Sequence, residues 1–193
     1  MLFAGLWATP AMAGTYVGVS AGLGLLNDSA AKFVGVTVDN AVGYSAGVPV
    51  GVAVGYTSGD YRLEGAAGYQ SHNIDTFFGE AVDTNDDVSV LSFMVNGYYD
   101  ITINDSSVSP YLTAGLGFAS ITSGDGADSL DESAFAWQVG AGFGFKASEN
   151  VVIDLGYRYF KTADITIAEF DGGESADLTI SGSNILAGVR YNF

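Results

Sequence analysis

The chain is 193 residues long, with no cysteine and no break in composition, which argues for one domain and excludes a disulfide framework. Its formal charge of −16 excludes a role on nucleic-acid backbones, which need a basic surface. Hydrophobic residues make up 48% of it, yet no apolar run approaches the roughly 18–20 residues of a membrane helix, so the apolar surface must be placed another way.

Residues 1–13, MLFAGLWATPAMA, have the form of the end of a secretory signal. Positions 2–7 are a short apolar core, Pro10 interrupts it, and Ala11-Met12-Ala13 is an A-x-A cleavage site. The basic start is absent, which is compatible with an initiator upstream of Met1. The mature chain is expected to begin at Gly14; the plain alternative is an apolar N-terminus.

Eight alternating segments follow. The first spans 15–25, with Val17, Val19, Ala21 and Leu23 on one face. The second spans 47–56, with Val48, Val50, Val52, Val54 and Tyr56 together, and Pro49 placed near a rim because proline suits strand ends. The third, 61–72, sets Tyr61, Leu63, Gly65, Ala67 and Tyr69 against Arg62, Glu64 and Gln70. The fourth, 88–100, shows Leu91, Phe93, Val95 and Tyr99; the fifth, 109–120, shows Leu112, Ala114, Leu116 and Phe118. The sixth alternates without a slip from Phe135 to Lys146: Phe135, Trp137, Val139, Ala141, Phe143 and Phe145 against Ala136, Gln138, Gly140, Gly142, Gly144 and Lys146. The seventh sets Val151, Ile153, Leu155, Tyr157 and Tyr159 against Val152, Asp154, Gly156, Arg158 and Phe160. The eighth, 184–193 with a start reaching back toward Asp177, sets Ile185, Ala187, Val189, Tyr191 and Phe193 against Asn184, Arg190 and Asn192. Period two over about ten residues is a strand with a different environment on each side, and that length crosses a bilayer when tilted.

The polarity of the faces decides the class. One face is aromatic and aliphatic without charge; on a water-soluble protein it would be a sheet-sized exposed patch. The other is mostly glycine with Gln138, Asp154, Arg158 and Arg190, too small and too charged for an ordinary surface. With the apolar side in lipid and the polar side in a narrow lumen, both make sense. The prediction is an all-β fold: an eight-stranded antiparallel up-and-down transmembrane β-barrel. The 27 glycines and 13% aromatics fit small lumen positions and interfacial girdles. Connections alternate in length, long at 26–46, 73–87, 121–132 and 163–176, short at 57–60, 101–108 and 147–149. Four long extracellular loops, three short periplasmic turns and two periplasmic termini are the expected arrangement in an outer membrane.

Several stretches resemble a family. Gly55-Tyr56, Tyr61-Arg62-Leu63-Glu64, Met94-Val95-Asn96-Gly97-Tyr98-Tyr99-Asp100 and Pro110-Tyr111-Leu112-Thr113-Ala114-Gly115-Leu116-Gly117 come in that order. Ala136-Trp137-Gln138-Val139-Gly140-Ala141-Gly142, Asp154-Leu155-Gly156-Tyr157-Arg158-Tyr159 and Gly188-Val189-Arg190-Tyr191-Asn192-Phe193 follow. In this order and spacing they are similar to the opacity-protein or surface-antigen group of eight-stranded outer-membrane barrels, related to OmpA-type membrane domains. The resemblance covers nearly all of residues 14–193. It implies a surface antigen, adhesin or envelope-integrity protein of a Gram-negative bacterium, and leaves the partner open because the loops vary. It also implies that Val189, Tyr191 and Phe193 form the terminal signal read by the outer-membrane assembly machinery; the same side chains would equally serve as a lipid-facing strand.

Three features carry chemistry. Arg62, Glu64, Asp154, Arg158 and Arg190 point inward by alternation and are expected to form a mutually paired ionic core, since charges in a low dielectric cost several kcal/mol each unless partnered. Arg158 is expected to pair with Asp154 or Glu64, and Lys146 lies at the periplasmic end of its strand. An eight-stranded lumen is filled by its own side chains, which favours a plug over a gated path. His72, the one histidine, is read as a rim or loop residue; Ser71 beside it points to the opposite face, so the two cannot form a catalytic dyad. The long loops are rich in acid, including Asp83, Asp86 and Asp87, which lack the glycine and distal glutamate of an EF-hand loop. They are either a solvated face or a surface that holds divalent cations, bridges to lipopolysaccharide phosphates or meets a basic partner. The expectation is a non-enzymatic barrel without cofactor or nucleic-acid partner, embedded in outer-membrane lipids, with a small-solute channel as the alternative and a lipid-modifying enzyme behind it.

Overall fold

The computed structural model describes residues 14–26, 29–33, 36–77, 80–81, 87–123, 130–163, 165–170 and 174–193. Eight strands form a closed ring: β1 Thr15–Leu26, β2 Val50–Ser58, β3 Tyr61–Phe77, β4 Asp87–Asp100, β5 Val108–Ser123, β6 Leu130–Lys146, β7 Val151–Thr162 and β8 Ser181–Asn192. Each is antiparallel to its sequence neighbours, and β1 pairs with β8 from Tyr16↔Asn192 to Leu26↔Gly182, closing the cylinder. No helix occurs among the described residues. Closure leaves no unpaired edge within the ring, the condition for β-structure in hydrocarbon.

The short connections are tight. Between β2 and β3 two residues, Gly59 and Asp60, link the paired Ser58 and Tyr61. Gly59 takes φ +60°, a left-handed conformation that glycine adopts at no steric cost. The β6–β7 turn is held by the Ala147 N–H on the Val151 carbonyl (2.9 Å) and by the Val151 N–H on Ser148 Oγ (3.1 Å). The ladder of β2 begins at Val50 rather than at 47. The pairing with β1 nevertheless continues past Pro49. Its carbonyl accepts the Gly22 N–H at 3.0 Å, and Gly24 and Gly47 exchange bonds of 2.9 and 2.8 Å. Proline has no N–H to return, so the regular ladder stops there.

The largest departure from the sequence reading lies in the first and fourth long connections, which carry strands. Ser29–Phe33 pairs with Val36–Tyr44, and the latter continues onto the far end of β3, from Tyr44↔Ile74 to Val42↔Phe77. Ile165–Phe170 pairs with Glu174–Leu178, which in turn pairs with Ser29–Phe33. Glu80–Ala81 folds back onto β3 at Thr76 and Phe77. β-Branched runs such as Val36-Thr37-Val38 and Ile165-Thr166-Ile167 favour the extended chain, so these connections prolong the wall as sheet.

The strands β3, β5 and β6 are 17, 16 and 17 residues long, well beyond the roughly 9–11 a tilted strand needs to cross a bilayer. Along this extra length the polarity of the two faces reverses. Near the turns the exposed outer face is Val54, Leu63, Val95, Leu112, Leu155 and Val189, while buried Arg62, Glu64, Asn96 and Gln138 fill the inside. Toward the long connections the outward positions become Ser71, Ser89, Ser120, Thr122, Ser133 and Lys161, and the inside becomes Leu26, Val88, Val90, Ala119, Ile121, Ala134, Phe160 and Ile180. The barrel is thus built for two solvents in series. Tyrosines mark the change, with Tyr69 Oη 3.0 Å from Ser89 Oγ and Tyr157 Oη 2.8 Å from Ser183 Oγ. Aromatic contacts gird both levels. Tyr61–Tyr99 (5.3 Å) and Tyr191–Phe193 (5.2 Å) lie at the turn end, Phe118–Phe135 (6.1 Å) and Trp137–Tyr159 (5.7 Å) at the other.

Candidate functional site

The polar tier of the lumen gathers three arginines and three carboxylates. Arg62 on β3 meets Asp100 at the end of β4 in a bidentate pair, Nε–Oδ2 at 2.7 Å and Nη2–Oδ1 at 2.8 Å. The two are diagonal neighbours on one face, because Arg62 stands opposite Tyr98. The guanidinium also lies over Tyr98 (4.1 Å), Tyr111 (5.2 Å) and Tyr16 (5.9 Å), so aromatic rings take the place of water around it. Arg190 on β8 pairs more loosely with Asp154 on β7. Its Nη2 is 3.4 Å from Oδ1, and its Nε, 3.3 Å from Oδ2, is not aligned for a hydrogen bond.

Glu64 has no arginine against it. Its carboxylate accepts the hydroxyls of Tyr16 (2.9 Å) and Tyr98 (2.8 Å) and the amide of Asn96 (3.1 Å), and Asn96 Oδ1 accepts Gln138 Nε2 at 2.5 Å. Arg158, expected on Asp154 or Glu64, donates instead to the Tyr98 hydroxyl at 3.3 Å and reaches Glu64 through it. The reason is reach: β3 and β7 are separated around the ring by three strands, and the tyrosine spans the gap between them. The sequence reading missed Tyr16, Asn96, Tyr98, Asp100 and Tyr111 as lumen residues. Extending the alternation to both strand ends would have placed Tyr16 and Asp100 inside. Lys146 is exposed at the end of β6 and takes no part.

Room for these rings comes from glycine. A Cβ on Gly55 would sit 2.5 Å from the Tyr16 hydroxyl oxygen, so the bare backbone of β2 is what lets Tyr16 lie flat across the lumen. A cavity of about 130 Å³ remains within the barrel, reached by Gln70, Ser92, Met94 and Asn184 as well as the polar tier. That is the share of roughly four waters. Beyond it, toward the long connections, lie the buried apolar side chains of Leu26, Val88, Ile121 and Ile180.

His72 is not a rim residue. It is 1% exposed, on the inner face of β3, with Nδ1 2.9 Å from the Ser45 carbonyl. A carbonyl only accepts, so Nδ1 carries the proton, and Nε2 is buried without a partner. The ring packs against the bare backbone of Gly24 and Gly47, which helps hold the start of β2 to β1. Ser71, its neighbour in sequence, faces the other way. Asp83 and Asp86 lie outside the described residues; Asp87 begins β4 opposite Asn73. Among the described residues no cluster of three metal-ligating side chains occurs. Val189, Tyr191 and Phe193 all face outward, exposed, on or just after β8, and the Phe193 N–H is bound to the Thr15 carbonyl at 3.0 Å.

Comparison with known proteins gives the family. The model of the outer membrane protein β-barrel domain matches residues 1–193. The chain belongs to that family. A curated member, outer membrane protein PagN of Salmonella typhimurium, is 31% identical over 134 residues, 60% of this chain and 56% of that protein. The chain therefore aligns with little more than half the length of that relative. Among solved structures, Neisserial surface protein A superposes with a TM-score of 0.62 at 21% identity, covering 94% of this chain and 98% of that one. Outer membrane protein W of E. coli gives 0.51 at 16% identity, over 94% and 98%. At these identities the structures speak to the fold: an eight-stranded outer-membrane barrel, as the resemblance in the sequence implied.

Proposed function

We propose that this barrel is a non-enzymatic surface protein that works through its long connections, the cylinder serving as a sealed carrier. One observation carries the reading: the bore is filled twice, by a charge-balanced polar tier and by an apolar tier, leaving a cavity of about 130 Å³. In this reading residues 14–193 are the barrel, residues 1–13 are a cleaved signal, both termini are periplasmic and the long connections are extracellular. The barrel sits among outer-membrane lipids and lipopolysaccharide, and Val189, Tyr191 and Phe193 present the strand that the assembly machinery reads. The connections hold acid far in excess of base; Asp83, Asp86 and Asp87 are where weak divalent-cation binding would fall, at the 10⁻⁴–10⁻³ M typical of extracellular sites. A relative named as a surface protein in Neisseria supports the class of role.

The test compares cells expressing the full chain with cells expressing a chain whose long connections are shortened, measuring capture of extracellular partners. Capture is expected to follow the connections. Conductance of the purified protein in planar bilayers is expected at background; discrete channel steps abolished by filling the cavity would replace this reading with that of a small-solute channel.

A further inference from the structure

The lipid-facing side of the cylinder is not smooth. Centred on β3 lies an open trough of about 700 Å³, lined almost wholly by hydrocarbon. Its floor is Gly65 and Ala67, two successive outward positions. The register of the neighbouring strands supplies the walls. Val54 of β2 and Val95 of β4 stand on either side of Gly65, and Val52 and Phe93 on either side of Ala67. All four wall side chains project outward and are exposed. Leu63 bounds the trough at the turn end of β3. Tyr69 bounds it at the other, its hydroxyl 3.0 Å from Ser89 Oγ where the outer face turns polar.

Folding does not ask for glycine at the floor. Glycine inside a strand weakens it and usually marks a close approach, as Gly55 does beneath Tyr16. A Cβ on Gly65 would meet no atom within 4 Å among the described residues, so a larger side chain would fit there. What the glycine leaves is a hollow. Its walls stand on strands two spacings apart, about 9–10 Å between backbones, which their side chains narrow to the width of one hydrocarbon chain. From Leu63 to Tyr69 the hollow runs along the strand for six steps of about 3.3 Å, about 20 Å in all.

Position selects the occupant. The trough is continuous with the exposed apolar face of an outer-membrane barrel, so it is filled from hydrocarbon and not from water. A symmetric pair of barrels would set the same patch against itself, hollow against hollow, and fill neither. We propose that the trough seats one straight, saturated acyl chain of a membrane lipid, lying along β3. Between lipid and an apolar wall there is no hydrophobic gain, so packing decides. A chain that merely passes over the trough leaves the floor atoms without partners, whereas a chain lying in it meets floor and both walls. A cis double bond bends the chain and lifts it off the floor. The seat is a property of the cylinder and stands apart from whatever the long connections do.

The test places the full chain in nanodiscs of equimolar dimyristoyl and dimyristoleoyl phosphatidylcholine, equal in chain length and both fluid at the working temperature. Native mass spectrometry then counts the lipids that stay on the released barrel and identifies them. One retained lipid is expected, with the saturated form enriched about fivefold over the mixture, the worth of about ten carbon–carbon contacts. Gly65→Leu and Ala67→Leu each fill the floor from the outside and are expected to abolish both retention and preference; using two variants guards against one that fails to fold. Ala187→Leu makes a similar enlargement at an exposed outward position of β8 and should change neither. Heat-dependent migration shows that each variant is folded. Retention unaffected by the floor variants, equal uptake of the two lipids, or no retained lipid at all overturns the seat. A retained protein dimer that the floor variants abolish would give the trough to a second copy instead.

Discussion

At the scale of single residues, the polar tier is a set of unequal partnerships. Arg62 holds a bidentate carboxylate and three aromatic rings, whereas Arg158 holds one long bond to a tyrosine hydroxyl. Arg62→Met should therefore strand Asp100 and cost about 3–5 kcal/mol, as removal of one member of a buried pair does. Urea unfolding in lipid vesicles would measure it, and adding Asp100→Asn should recover most of the loss. Arg158→Met, by the same assay, should cost no more than about 1 kcal/mol, the net worth of one hydrogen bond. If the two single variants are equally harmful, the partnerships described above do not carry the energy. Alternation made the inward direction of Arg62, Glu64, Asp154, Arg158 and Arg190 legible from sequence. It could not give their partners, because partners depend on which strands abut and in what register. Arg62 and Asp100 are 38 positions apart, and their adjacency exists only once Tyr61 lies opposite Tyr99. His72 was misplaced for a related reason. Its strand was expected to end there, and β3 runs five residues further because Val36–Tyr44 pairs with its far end.

At the scale of strands, β8 has two duties that separate experimentally. Its outward face, Ile185, Val189 and Tyr191, completes the apolar belt beside β1 and β7, and Phe193 closes the terminus against Tyr191. Deleting Phe193 removes one backbone bond to Thr15 and one ring contact, a small loss against 11 paired positions with β1. Folding into detergent, followed by tryptophan fluorescence, is expected to stay near normal. Insertion in cells, followed by surface protease access, is expected to fall sharply if the terminal aromatic is read by the assembly machinery. Normal insertion of the deletion would remove that role and leave the aromatic as a lipid-facing residue. The eight strand cores were legible because each has two unlike faces. The strands within the long connections were not. Short β-branched runs between turn residues carry no second face to declare them, and their pairing is decided by distant segments such as Ala176 with Phe33.

At the scale of the molecule, closure of β1 onto β8 makes the barrel an all-or-none object, since among the described residues each of the eight strands is paired with a neighbour on both sides. The refolded protein is expected to resist unheated SDS and to migrate at a different apparent size after boiling. Identical migration in both lanes, after folding verified by circular dichroism, would contradict the closed ring. The reversal of polarity along β3 has a consequence of another kind. From Tyr61 to Tyr69 the outward side chains are apolar, and Ser71 follows. Eight steps of about 3.3 Å, at a tilt of about 40°, rise about 20 Å. The protein thus carries its own gauge of bilayer thickness, and the gauge is short. A rigid cylinder cannot shorten itself as a helix does by leaning, so the mismatch must be met by the lipid. Reconstitution should proceed fastest and to highest thermal stability in phosphatidylcholines of 12–14 carbons, and slow as the chains lengthen to 18. Replacing Ser71, Ser89 and Ser133 together with leucine would raise the gauge by one pleat on that side of the barrel, and should move the optimum toward thicker bilayers.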